Sequence, residues 1–163
     1  MTLKSIVYGG TDGIVTVFNI ISTTIGIRLS VPKTIIMALT VLVADAISMA
    51  AADFLSSSAA NKEDKLNDAD PRFQNPVKNA ITTFFSFIIF GIIPVLLFIG
   101  LNRYFEQNVY KLLVVCMTVA FSLLGFLQSR FTGEVWYLSS ARTSGYGIAT
   151  SLLAYLVSNK LSQ

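Results

Sequence analysis

Apolar residues along this chain gather into five long runs separated by short polar stretches. The pattern predicts five helices of membrane-spanning length, at about 5–27, 34–60, 79–101, 110–128 and 139–159. Pro32 is expected to break the chain between the first two, while Pro71 and Pro76 fall in the longest hydrophilic stretch, 61–78. Pro94 lies inside the third run and is expected to kink or interrupt that helix. No internal repeat is evident. The expected fold class is all-α, a single membrane domain of five transmembrane helices over residues 1–163.

Two of the runs break their own apolarity at regular intervals. In the second, Asp45, Met49 and Asp53 stand at i, i+4 and i+8, so on a helix they line one stripe with roughly 6 Å of rise between neighbours. The flanking Ala44, Ala46, Ser48, Ala50, Ala51 and Ala52 are small, as expected where helices approach closely in lipid. In the first run, Asp12, Thr16, Asn19 and Thr23 are spaced 4, 3 and 4, which keeps them on one face. An acidic side chain within hydrocarbon is costly and by default marks an ion or proton path.

Counted inward from Lys4 and back from Ala60, Asp12 and Asp53 are eight and seven residues deep, roughly 10 to 12 Å at the helical rise. The expectation is an acidic entrance formed by Asp12 and Asp53, with Met49, Asp45 and Asn19 as a polar route onward and Thr16, Thr23 and Ser48 lining it. Plainer readings stand beside it. Gly9-Gly10-Thr11-Asp12 before an apolar run is also the signature of a helix N-cap. Asp53 could keep its charge in interfacial water, Met49 could be packing, Asp45 a structural pairing and Asn19 a bond between helices.

Composition narrows the chemistry. With 163 residues, 53% of them hydrophobic and 13% charged, the chain is too apolar for an ordinary soluble domain of its size. There is no histidine, and the single cysteine, Cys116, sits in an apolar run and reads as core. That excludes a disulfide within one chain, an imidazole site and the di-iron Glu-x-x-His pattern; nothing forms a nucleophile-and-base pair, so no enzyme is expected. The net charge of +3 is spread over short connections and gives no surface for nucleic acid. Without the basic, apolar and cleavage-site succession of a signal peptide, the first apolar segment is expected to stay.

Five spans put the termini on opposite sides. The N-terminal side carries Lys4, Lys62, Lys65, Arg72, Lys78, Arg130 and Arg142, and the other Arg28, Lys33, Arg103, Lys111 and Lys160, which favours a cytosolic N-terminus by seven to five. The mixed charge of 61–78 reads as a solvated connection, and the EF-hand pattern is absent from it. Arg142 and Gly145-Tyr146-Gly147 are assigned to interfacial anchoring and close packing.

Carboxylate oxygens with a thioether suit Fe²⁺ and Mn²⁺ better than Mg²⁺ or Ca²⁺, to which sulfur adds little. A buried carboxyl favours its proton while a bound cation displaces it, so one site serving both ions would exchange them. A non-transporting membrane scaffold, its acids merely holding helices together, is the alternative.

Tyr8-Gly9-Gly10-Thr11-Asp12-Gly13-Ile14-Val15-Thr16 and Val43-Ala44-Asp45-Ala46-Ile47-Ser48-Met49, with Asp53-Phe54 after it, resemble motifs of the vacuolar iron transporter (VIT) family. Asn75-Pro76 with Ala80, Ser86-Phe87, Gly91 and Pro94 is similar to the family's third span, and Gly125 with Thr132-Gly133 to its fourth. The resemblance implies a five-helix homodimer that moves cytosolic ferrous iron, and often manganese, into a storage compartment or out of the cytosol in exchange for protons. It further implies a path between the first two helices near the dimer interface, with Asp12 and Met49 as translocation residues. The implied setting is a vacuole-like or other intracellular membrane, or the cell membrane in a prokaryote. Many members carry a Glu- and Met-rich helical domain between spans two and three, where this chain has only 61–78, which implies a short form without a separate metal-collecting domain. Ser22, Thr23, Ala46 and Ala50 replace glycines common in the family, and Asp53 stands where Glu is frequent.

Overall fold

The computed structural model describes residues 3–66 and 75–162. They form five α-helices, α1 (Leu3–Gly26), α2 (Val31–Leu66), α3 (Pro76–Tyr104), α4 (Val109–Thr132) and α5 (Trp136–Leu161), with one 3₁₀ turn, Glu106–Asn108, ahead of α4.

α1 occupies the centre. It contacts each of the other four helices, and its Ile14, Val17, Phe18 and Ile21 are fully buried. Phe18 meets Phe121 of α4 with ring centroids 6.1 Å apart. On the α3 side, glycines allow backbone contact: a methyl group on Gly13 would lie 2.6 Å from the Phe87 carbonyl oxygen, and one on Gly9 3.1 Å from that of Thr83. The rising pairs Gly9 with Thr83 and Gly13 with Phe87 make α1 and α3 run parallel, while α2 returns between them.

The α1–α2 connection is tight. Arg28 takes the left-handed conformation at φ 56°, and the Leu29 N–H reaches the Thr24 carbonyl at 2.9 Å. The chain breaks between α1 and α2 at 27–30 as expected, with Pro32 in the first turn of α2, where a missing N–H leaves no intrahelical bond unmade. Pro94 does not interrupt α3, which continues to Tyr104 with Pro94 buried. α2 runs past the expected 60 to Leu66 and is roughly 54 Å long at 1.5 Å per residue, more than the roughly 30 Å of hydrocarbon requires. The first part of the expected loop 61–78 is therefore helical; 67–74 lies outside the described residues. Asn75 caps α3, its side-chain oxygen accepting the Lys78 N–H at 3.1 Å.

α4 and α5 form an antiparallel hairpin. Gly133 ends α4 at φ 70°, donating to the Ser129 carbonyl at 3.1 Å. Small residues then let the helices close: a methyl group on Gly125 would meet the Ser140 Cα at 2.5 Å, and one on Gly147 the Phe121 ring at 2.5 Å. Ser140 donates to the Ser122 carbonyl at 3.0 Å, and the Ser122 and Ser144 hydroxyls meet at 3.0 Å. Gly147 thus packs closely as expected, but Gly145 meets nothing within 4 Å. Arg142, assigned to interfacial anchoring, pairs with Glu134 at 3.2 Å. Cys116 is free and half-buried.

Among the described residues, α2, α3 and α4 contain stretches long and apolar enough to cross a membrane. α1 and α5 are more polar for a physical reason. α1 is enclosed by protein, and the α5 hydroxyls bond to their own helix, as Ser151 does to the Ile148 carbonyl at 3.0 Å and Ser158 to that of Tyr155 at 2.9 Å.

Candidate functional site

Asp12 lies well inside α1, which begins at Leu3, so the N-cap reading of Gly9-Gly10-Thr11-Asp12 does not hold. While Gly9, Gly10 and Gly13 face α3, Asp12 is exposed on the flank of the bundle. Asp45, Met49 and Asp53 are all half-buried along α2, and Met49 leans on the apolar core. The Asp45 carboxylate is close enough to act electrostatically on Asp12.

The third helix sets the levels at which these groups stand. Thr83 touches both neighbours, its carbonyl against Gly9 and its hydroxyl donating to Asp53. Gly9 and Asp53 therefore share a level, and Asp12, three residues further along α1, lies about 4.5 Å deeper, between the level of Asp53 and that of Asp45, which is about 12 Å deeper than Asp53. Counting from the ends of the apolar runs ignores this axial offset, which packing sets.

Of the expected lining residues, Thr16 and Asn19 are half-buried and Ser48 is exposed. Asn19 Oδ1 is buried with no hydrogen-bond partner. Thr23 lines a groove of about 380 Å³ between the ends of α1 and α5. Ala46 is fully buried, whereas Ala44, Ser48, Ala51 and Ala52 are exposed on the outer side of α2. Among the described residues no three of His, Cys, Asp and Glu converge on one metal-sized position. The chain thus supplies two acidic groups near enough for one charge to bear on the other, with a thioether one turn beyond Asp45.

Two ties between α2 and α3 were missed from sequence: Thr83 to Asp53, and Asn79 Nδ2 to Ser57 Oγ at 3.0 Å. Asn79, Thr83 and Ser86 are buried at spacings of 4 and 3, so the stripe test that picked out α1 would have found them in α3.

The VIT family description matches residues 3–70 and 59–159. Among curated proteins, the chain is similar to the vacuolar iron transporter of Plasmodium falciparum (isolate 3D7), with 25% identity over 196 aligned positions covering 81% of this chain and 72% of the relative. It is similar to that of Toxoplasma gondii (strain ATCC 50861 / VEG), with 42% identity over 57 residues, 35% of this chain and 19% of the relative. It is also similar to vacuolar iron transporter 1 of Oryza sativa subsp. japonica, with 30% identity over 90 residues, 55% of this chain and 34% of the relative. No solved structure matches it. A match over almost the whole length, on a bundle with several membrane-spanning helices, makes the assignment direct: the chain belongs to the VIT family, as a multi-pass integral membrane protein of a transporter family and not an enzyme.

Proposed function

We propose that this protein moves a divalent transition metal, Fe²⁺ first and Mn²⁺ second, out of the cytosol into a storage compartment or out of the cell, in exchange for protons. The arrangement that supports the reading is Asp12 on α1 and Asp45 on α2, acidic groups on adjoining helices of a membrane protein and near enough for one charge to bear on the other, with Met49 one turn along α2. Two like charges so placed call for a cation or a proton between them. Oxygen ligands with a thioether favour Fe²⁺ or Mn²⁺, and the relatives named vacuolar iron transporters put Fe²⁺ first. Asp12 and Asp45 receive the ion, Met49 contributes selectivity, Asp53 guides approach, and protonation of the acids releases the metal.

All five helices cross the bilayer, with the N-terminus cytosolic by the seven-to-five bias of Lys and Arg. The chain is a short form, with 61–78 in place of a metal-collecting domain. It works as a homodimer, because α2 turns Ala44, Ser48, Ala52 and Ser56 outward at i+4 intervals, a close-packing face in lipid, and because one protomer's ligand set is incomplete. The scaffold reading is favoured only at Asp53, whose carboxylate Thr83 already engages.

Flux into sealed vesicles, with a metal panel and an internal pH dye, tests the proposal. Loss of Fe²⁺ uptake in Asp12→Ala and Met49→Ala is expected, with proton movement opposite to metal in the wild type. Undiminished uptake in both variants would remove the assignment.

A further inference from the structure

The ends of α1 and α5 lie side by side at the face of the bundle opposite the N-terminus. Gly26 joins them there: a methyl group on it would lie 2.8 Å from the Tyr155 carbonyl oxygen, and Ser158 is buried against the same point. α1 stops at Gly26 while α5 continues to Leu161, so the seam opens outward into a groove of about 380 Å³. Its walls are mostly apolar, with Ile27 on one side and Ala154, Val157 and Leu161 on the other; Val157 and Leu161 are exposed. Ile27 and Ser162 then lead into a second opening of about 290 Å³ that Arg28 and Asn159 complete. An apolar channel thus meets a cationic, hydrogen-bonding pocket.

Arg28 holds the left-handed conformation at φ 56°, at a helix end where glycine or asparagine is the usual occupant. Its side chain is exposed and forms no ion pair among the described residues. The same end of the bundle carries Arg28, Lys33, Arg103, Lys111 and Lys160 against one acid, Glu106. Where α1 leaves the hydrocarbon, its C-terminal end stands at the level of lipid headgroups, and the planar fork of an arginine suits phosphate oxygens. The groove runs from that level inward by about one turn of α1, to Thr23, the direction an acyl chain takes from its headgroup.

We propose that this groove holds one anionic phospholipid of the leaflet opposite the N-terminus. The lipid phosphate lies on Arg28, with Asn159 and Ser162 as hydrogen-bond donors, and one acyl chain fills the space between Ile27, Ala154, Val157 and Leu161. Charge selects an anionic lipid over a zwitterionic one, whose headgroup would bring a further cation to a face that already has five. The proposal rests on α1 and α5 spanning the bilayer, as in the five-span reading above, and not on metal exchange. A lipid bound across the seam ties the end of the central helix to α5 and stabilises the folded chain by mass action.

The test is the unfolding midpoint of the detergent-purified protein, titrated with phosphatidylglycerol, phosphatidylcholine or inorganic phosphate and read against each variant's own lipid-free midpoint. Phosphatidylglycerol should raise the midpoint, phosphatidylcholine should need at least about tenfold more to do so, and inorganic phosphate should leave it unchanged. In Arg28→Gln the phosphatidylglycerol requirement should rise about tenfold, the scale of one lost charge-assisted hydrogen bond. Val157→Trp, which fills the groove from its exposed side, should raise it as far. Arg103→Gln, at the same end but outside both openings, should match the wild type. An equal response to phosphatidylcholine, or a wild-type response in either Arg28→Gln or Val157→Trp, overturns the site. A full response to inorganic phosphate overturns the lipid in favour of a free anion. A membrane-impermeant thiol label on Ser162→Cys, in a Cys116→Ser background in sealed vesicles, reports separately on the spans: labelling from the same face as an N-terminal tag overturns the five-span reading, and the site with it.

Discussion

Thr83 donates its hydroxyl to the Asp53 carboxylate, joining α3 to α2 one turn from the Asn79–Ser57 bond at 3.0 Å. The two bonds fix how far α2 slides along α3, and α3 in turn contacts α1 through glycine. The axial register of Asp45 against Asp12 follows from this.

Thr83→Val keeps the shape and removes the donor. The expected loss is about 2 kcal/mol, as for a bond to a charged acceptor, read as a lower unfolding midpoint in detergent. Metal uptake should change as well, because the register between Asp12 and Asp45 loosens; an unchanged midpoint would show that Asp53 does not depend on Thr83.

Gly13→Ala forces a methyl group to within 2.6 Å of the Phe87 carbonyl, a backbone atom that cannot swing aside. The expected cost is about 1 to 3 kcal/mol. Gly100→Ala is the control. Nothing lies within 4 Å of that position, so the change should be neutral or stabilising by up to about 1 kcal/mol through helix propensity. Equal midpoints for the two variants would contradict the close α1–α3 approach.

Asp12→Asn should separate stability from transport. Removing one of two interacting carboxylates relieves like-charge repulsion, so the metal-free protein should be at least as stable as wild type. Uptake should fall about 10- to 100-fold, the range for a metal site that loses a supporting group. A variant that unfolds more easily yet transports normally would assign Asp12 to structure.

Ala52→Trp places a bulky ring on the outward small-residue face of α2. If that face joins two copies, dimer in detergent should decrease at least about tenfold, a change of 1.4 kcal/mol, measured by light scattering. An unaffected dimer would move the interface elsewhere.

What the chain determined alone were its periodic features. Hydrophobic runs gave five helices near their observed limits, and the 4-residue spacing of Asp45, Met49 and Asp53 placed three candidate groups along one side of α2, since spacing within a helix follows from the rise and turn of the backbone. Where two signals competed locally, the nearer one misled. Gly9-Gly10 suggested a cap but provides contact with α3.

Relations between helices were decided only by the tertiary structure. The level of Asp12 between Asp53 and Asp45 depends on axial offset, set by side-chain bonds and glycine contacts that α3 makes to both helices. Spacing along one chain carries no information about such an offset, because any slide of one rod past another preserves every periodicity in each.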